Sequence, residues 1–157
     1  MTTSTVVRVP DLAALKALEG QFLGTSSWIE VTQQRIDTFA DATGDHQWIH
    51  VDPERARRES PFGGPVAHGY LSLSLIIPMW DELLGVDSVE TAINYGLNKV
   101  RFTSPVPAAG RVRLSATLKQ VADLPKGGVQ VTVDGVIELE GSERPAVVAE
   151  AIYRFFE

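Results

Sequence analysis

The chain predicts an α+β domain, and three observations carry that reading. Tyr70–Leu84 is apolar on nearly every side of a helix, so such a helix has to be wrapped by other structure. The segments Thr91–Phe102, Arg111–Leu124, Val129–Glu140 and Ala146–Phe156 are long and β-rich. Turns reading Pro-Ala-Ala-Gly, Pro-Lys-Gly-Gly and Gly-Ser-Glu-Arg-Pro separate them. A long antiparallel sheet curled around one buried helix satisfies all three.

The elements follow in order. Pro10–Leu18 opens with a proline and an acid and spaces Leu12, Leu15 and Leu18 by three, a short amphipathic helix. Ser27–Val31 is a brief strand. Thr32 can cap a helix in which Ile36, Phe39, Ala40 and Thr43 share one face. Gly44 stops it, since glycine tolerates the left-handed conformation beyond a helix end. Asp52-Pro53 supplies a cap and a first-turn proline for a helix through Glu59. Its run of Arg55, Arg57 and Arg58, interleaved with Glu54 and Glu59, reads as a solvated face. Ser60–Pro65 is a loop by composition. In the sheet, Val112, Leu114, Ala116 and Leu118 alternate with polar residues, as do Val129, Val131 and Val133, so one face of each strand is buried.

The chain has 157 residues, 44% of them apolar and 22% charged, which fits one globular domain over residues 1–157. Residues 1–25 are expected as an extension that carries the short helix. A net charge of −6 argues against nucleic acid and anionic membranes as partners. The absence of cysteine excludes disulfides, thiolate metal sites and a cysteine nucleophile. Met1–Leu18 lacks the order of a secretory signal. No apolar stretch is long enough to span a bilayer, so a cytoplasmic location is expected.

Chemistry concentrates between positions 45 and 69. Asp45 and His50 would diverge by about 140° on a helix, but Gly44 ends the helix before them, and a turn can bring both to one spot. A carboxylate beside an imidazole can hold and activate a water. The pair also reads as a turn cap and a satisfied interior histidine. His46 and His50 have the i, i+4 spacing of metal ligands, with His68 as a third candidate. Gln47 stands where a zinc-protease motif needs glutamate, and Gly44 argues against a continuing helix, so no metal is expected. Gly69, where the loop enters the apolar helix, allows close backbone approach and offers a helix N-terminus to an oxyanion or carbonyl. Passage of the loop alone would also explain it. There is no nucleophile elbow, phosphate-binding loop or dinucleotide fingerprint.

Phe39-Ala-Asp-Ala-Thr-Gly-Asp-His-Gln-Trp-Ile-His50, with Val51-Asp52 and Ala56, followed by Pro61-Phe-Gly-Gly-Pro-Val-Ala-His-Gly-Tyr70, resembles the signature of the R-specific enoyl-CoA hydratases, the MaoC-like dehydratases. Both blocks stand in order and at the right distance. Gln47-Trp48 departs from the family's usual Asn-Pro, while the Asp–His spacing is kept. The resemblance implies the hot-dog fold and a hydro-lyase of fatty-acid metabolism. Its reaction would be reversible hydration of a trans-2-enoyl-CoA to an (R)-3-hydroxyacyl-CoA, without a cofactor. Asp45 and His50 would activate the water, and the Gly69 N–H would bind the thioester oxygen. Trp48, Tyr70, Leu73 and Ser74 would line the acyl pocket, Lys99 and Arg101 would meet the CoA phosphates, and the protein would be a homodimer. A hot-dog thioesterase, or a non-catalytic acyl-CoA-binding subunit of a heterodimeric dehydratase, are the alternative readings.

Overall fold

The computed structural model describes residues 6–157. In chain order the first half comprises β1 (Val7–Val9), α1 (Leu12–Lys16), β2 (Phe22–Thr25), β3 (Ile29–Val31), α2 (Gln33–Thr43), α3 (Trp48–Val51) and α4 (Pro53–Glu59). Then come α5 (Gly69–Ser74), α6 (Ile76–Trp80), β4 (Leu84–Val86), β5 (Thr91–Phe102), β6 (Gly110–Asp123), β7 (Val129–Leu139) and β8 (Val147–Phe156).

Alternation decides the sheet. Val112, Leu114, Ala116 and Leu118 of β6 are buried and the residues between them are not, so one face of the strand lies on the core. The main sheet runs β2-β6-β7-β8-β5, antiparallel throughout, and β3 also pairs with β6. β1 stands apart and pairs in parallel with β4, Val7 opposite Leu84. The extension at residues 1–25 therefore contributes two strands as well as its helix. None of β1, β2 and β4 carried a readable period, because three or four residues are too few to show one.

The sheet curls around α5 and α6, the hot-dog arrangement. Leu71, Leu75, Ile76 and Met79 are buried in the core together with Leu114, Val133 and Ile137. Contact is close at Gly135, where an added Cβ would come within 3.3 Å of Ile76. The expected single helix over Tyr70–Leu84 is corrected here. It is two short helices sharing Leu75, and Leu84 belongs to β4. Pro78 explains the division: it has no N–H and its ring collides with the carbonyl four residues back, so it is accommodated in the first turn of a restarted helix. Nor is the pair covered all round. Tyr70 is 71% exposed, and Leu73 and Ile77 are only half-buried. That side faces β5, an edge strand nearly all of whose residues are exposed. Among the described residues, no helix is long and apolar enough to cross a membrane.

Candidate active site

The site is assembled from the end of α2, the α3 turn and the start of α5. Thr32 caps α2 by accepting from the Arg35 N–H, and Gly44 ends it at φ 80°. The chain then turns through Asp45, whose N–H meets the Thr43 hydroxyl at 3.4 Å. His50 follows on α3 and is 7% exposed. Its Nδ1 lies 2.6 Å from the Val66 carbonyl. A carbonyl only accepts, so Nδ1 carries the proton and Nε2 is bare. The same Val66 donates its N–H to Ile49 at 3.0 Å, and Gln33 donates to the His50 carbonyl at 2.7 Å. Both ends of the imidazole turn are thereby pinned.

His68 is the residue that sequence reasoning undervalued. It is 2% exposed, and its ring stacks on that of His50 with centroids 3.9 Å apart. Its other face meets Phe39 at 4.9 Å. Its Nε2 donates to the Asp45 backbone carbonyl at 2.9 Å, tying the Asp45 turn to the His50 ring. The available signal was its place directly before Gly69, which puts it at the cap of α5. Packing at Gly69 is tight: an added Cβ would lie 3.1 Å from the Phe102 ring, which would have to shift to admit it. A cavity of about 320 Å³ opens in front of His50 and Gly69, lined also by Ile49, Phe62, Ala67 and Phe102.

The other residues named from sequence lie elsewhere. Trp48 is outside this cavity, with the Arg55 guanidinium 4.3 Å from its ring centroid. Tyr70 projects to solvent edge-on to Phe102. Leu73 and Ser74 line a separate cavity of about 210 Å³ against β5. Lys99 and Arg101 are exposed on β5, and Lys99 stands opposite Glu150. His46 is exposed and paired with Asp41 at 2.8 Å.

The MaoC-like domain model matches residues 15–139. The chain belongs to the MaoC-like dehydratase family. It is 51% identical over 144 residues to the 3-hydroxyacyl-thioester dehydratase Z of Mycobacterium tuberculosis, covering 92% of this chain and 95% of that protein. It is 45% identical over 142 residues to nodulation protein N of Rhizobium leguminosarum, covering 90% and 88%. Among solved structures, the monoamine oxidase regulatory protein of Archaeoglobus fulgidus superposes with a TM-score of 0.76 at 25% identity, over 98% and 99% of the two chains. An R-hydratase of Pseudomonas aeruginosa shares the fold with a TM-score of 0.68 at 24% identity, over 88% and 82%. This MaoC-like chain is accordingly a hydro-lyase.

In this dehydratase, donor atoms of Asp45, His50 and His68 lie within 4.8 Å of one another, so these are the residues that could hold a metal. The two rings, however, are stacked at an interplanar angle of 27°. Their in-plane lone pairs therefore run along nearly parallel planes instead of converging on one ion. Burial lowers the His50 pKa below its ordinary 6.5, and the neighbouring His68 adds to this. Together they outweigh the Val66 carbonyl and the Asp45 charge. At neutral pH His50 is thus uncharged, with a free Nε2 able to take a proton.

Proposed function

We propose that this MaoC-like protein catalyses the reversible, R-specific hydration of trans-2-enoyl-CoA thioesters to 3-hydroxyacyl-CoA, and that it acts in fatty-acid metabolism. The observation that carries the reading is the closeness of Asp45 to a neutral, buried His50, which itself lines one cavity with Gly69 at the start of α5. The dehydratase name of the mycobacterial relative supports a thioester substrate. Asp45 and His50 hold one water. Its oxygen adds to the β-carbon, and the pair passes a proton to the α-carbon on the same face. The Gly69 N–H faces the thioester oxygen as it gains enolate charge, the stage at which a donor lowers the barrier most. His68 touches neither reactant and positions both catalytic groups.

The same proposal makes the protein a homodimer paired through β5. That strand is a sheet edge with Ile93, Tyr95, Leu97 and Phe102 exposed along it, and an uncovered edge strand of twelve residues invites strand pairing. Lys99 and Arg101 on it would meet the CoA phosphates.

Turnover of crotonyl-CoA, followed by loss of the conjugated-thioester absorbance together with a free-thiol assay, tests the reading. Loss of absorbance without thiol release is the expected result, and thiol release would replace it with a thioesterase. Activity is expected to survive dialysis against a chelator. Stoichiometric zinc whose removal abolishes turnover would overturn the mechanism.

A further inference from the structure

The cavity that His50 and Gly69 share is closed on its inner side and open on the other. Val66, Ala67, Val106 and Ala146 close it and are buried, whereas Phe62 and Phe102 are half exposed and Pro105 is exposed. A thioester with its carbonyl at Gly69 sends its carrier arm out past Phe62 and Pro105, and its acyl chain stays inside.

A second space lies along the helix pair. The cavity of about 210 Å³ against β5 begins at Leu73, one turn beyond Gly69 on the same side of α5. Yet the two cavities have no lining residue in common. Helical side chains lean toward the helix N-terminus, so Leu73 lies over the turn that starts at Gly69. It is half-buried and packed against the core. From the other side β5 contributes Val100, also packed against the core, between Phe102 at the first cavity and Leu97 at the second. Leu73 and Val100 stand where the two spaces would otherwise join.

We infer that Leu73 is the end wall of the acyl pocket and that the protein takes short-chain enoyl thioesters, up to about six carbons. The inference rests on the thioester being held at Gly69, as proposed above. From Gly69 to Leu73 the helix rises about 6 Å at 1.5 Å per residue. An extended chain of single bonds advances roughly 1.2 Å per bond, so it meets Leu73 about five bonds from the thioester carbonyl. Volume sets the same limit. At the ~30 Å³ that a water takes up in the liquid, the cavity of about 320 Å³ holds roughly ten groups. The reacting water, the thioester oxygen and sulfur and six carbons fill about nine of these places, and eight carbons would need about eleven.

Crotonyl-, hexenoyl-, octenoyl- and dodecenoyl-CoA, each followed by loss of the conjugated-thioester absorbance, test this with the purified protein. The expected result is a kcat/KM that holds from crotonyl to hexenoyl and falls about tenfold or more at octenoyl, the scale of a methylene that a tight apolar wall rejects. In Leu73→Ala the octenoyl-to-crotonyl ratio should rise about tenfold, since the wall between the two cavities is cut back. Leu73→Met keeps the side-chain volume and should keep the wild-type ratio. A wild-type ratio near one or above overturns the inference, with no folded variant required. So does a ratio that stays at the wild-type value in folded Leu73→Ala, or that rises as far in Leu73→Met. If wild type hydrates none of the four esters, the hydratase reading itself falls; if it hydrates crotonyl- and dodecenoyl-CoA equally well, only the end wall falls.

Discussion

At the α5 end of the helix pair, His50 and His68 are buried, and each is held by a backbone carbonyl, Val66 for one and Asp45 for the other. At the α6 end the buried groups are Met79, Trp80 and Leu83, with Trp80 stacked on Tyr153 at 5.6 Å, and among the described residues no hydrogen bond orients these three side chains. The contrast separates two demands on one element. Carbonyls fix the angle of an imidazole and so serve chemistry. Apolar mass carries no angular information and serves stability.

The largest effect expected of breaking that division is on the apolar side. Met79→Ala removes a fully buried side chain and should cost about 2–5 kcal/mol. Denaturant unfolding would measure it, with turnover per folded molecule little changed. At the other end, Asp45→Asn and His50→Ala should each lower kcat by at least ~10²-fold; Asp45→Asn should leave the unfolding midpoint nearly unmoved, whereas His50→Ala orphans the Val66 carbonyl and should also lower the midpoint. Because the proposed mechanism places both on one water, the double variant should lose much less than the product of the single losses. Near-full activity in either folded single variant would remove that residue from the reaction.

A finer test is pH. In the proposed mechanism the neutral form of His50 is the active one, and its pKa is lowered, so kcat/KM should hold through neutrality and fall only below 6.5. Stability should move the same way. Between the lowered folded value and the unfolded value near 6.5 the unfolded chain binds the extra proton, so stability declines as pH falls through that window. An acid limb above 6.5 would exclude His50 as its source. The smallest effect belongs to Trp48→Ala, which loses the contact with Arg55, on the order of 0.5–1 kcal/mol at an exposed site. It should leave the chain-length profile unchanged, and a shift toward longer chains would bring Trp48 back into the acyl pocket.

Much of the fold was legible because it is written in short periods. The alternation in β6 and β7 named those strands, and Thr32 with Gly44 marked both ends of α2, where capping chemistry is local. The division at Leu75 was also written locally, in Pro78, but the apolar run around it masked the break. The Asp45–His50 turn was readable because Gly44 forbids a continuing helix. The His68 stack and the Val66 carbonyl were not, since they depend on where a loop more than fifteen residues away returns. Leu73 and Ser74 were placed on the right helix, but their partners Gly96 and Leu97 come from β5, a pairing that no local pattern encodes.

The parallel clip between β1 and β4 has a kinetic meaning. β6 and β7 are joined by a short turn, whereas β1 and β4 close a loop of more than seventy residues. By the logarithmic law of loop closure the second contact costs roughly 2 kcal/mol more chain entropy than the first. It therefore forms late, after the hairpins. Asp45, His50 and Gly69 all lie inside that loop. The clip is the last latch on the segment that bears them, and amide exchange in Val7–Val9 should outpace exchange in β7 while the sheet stays intact.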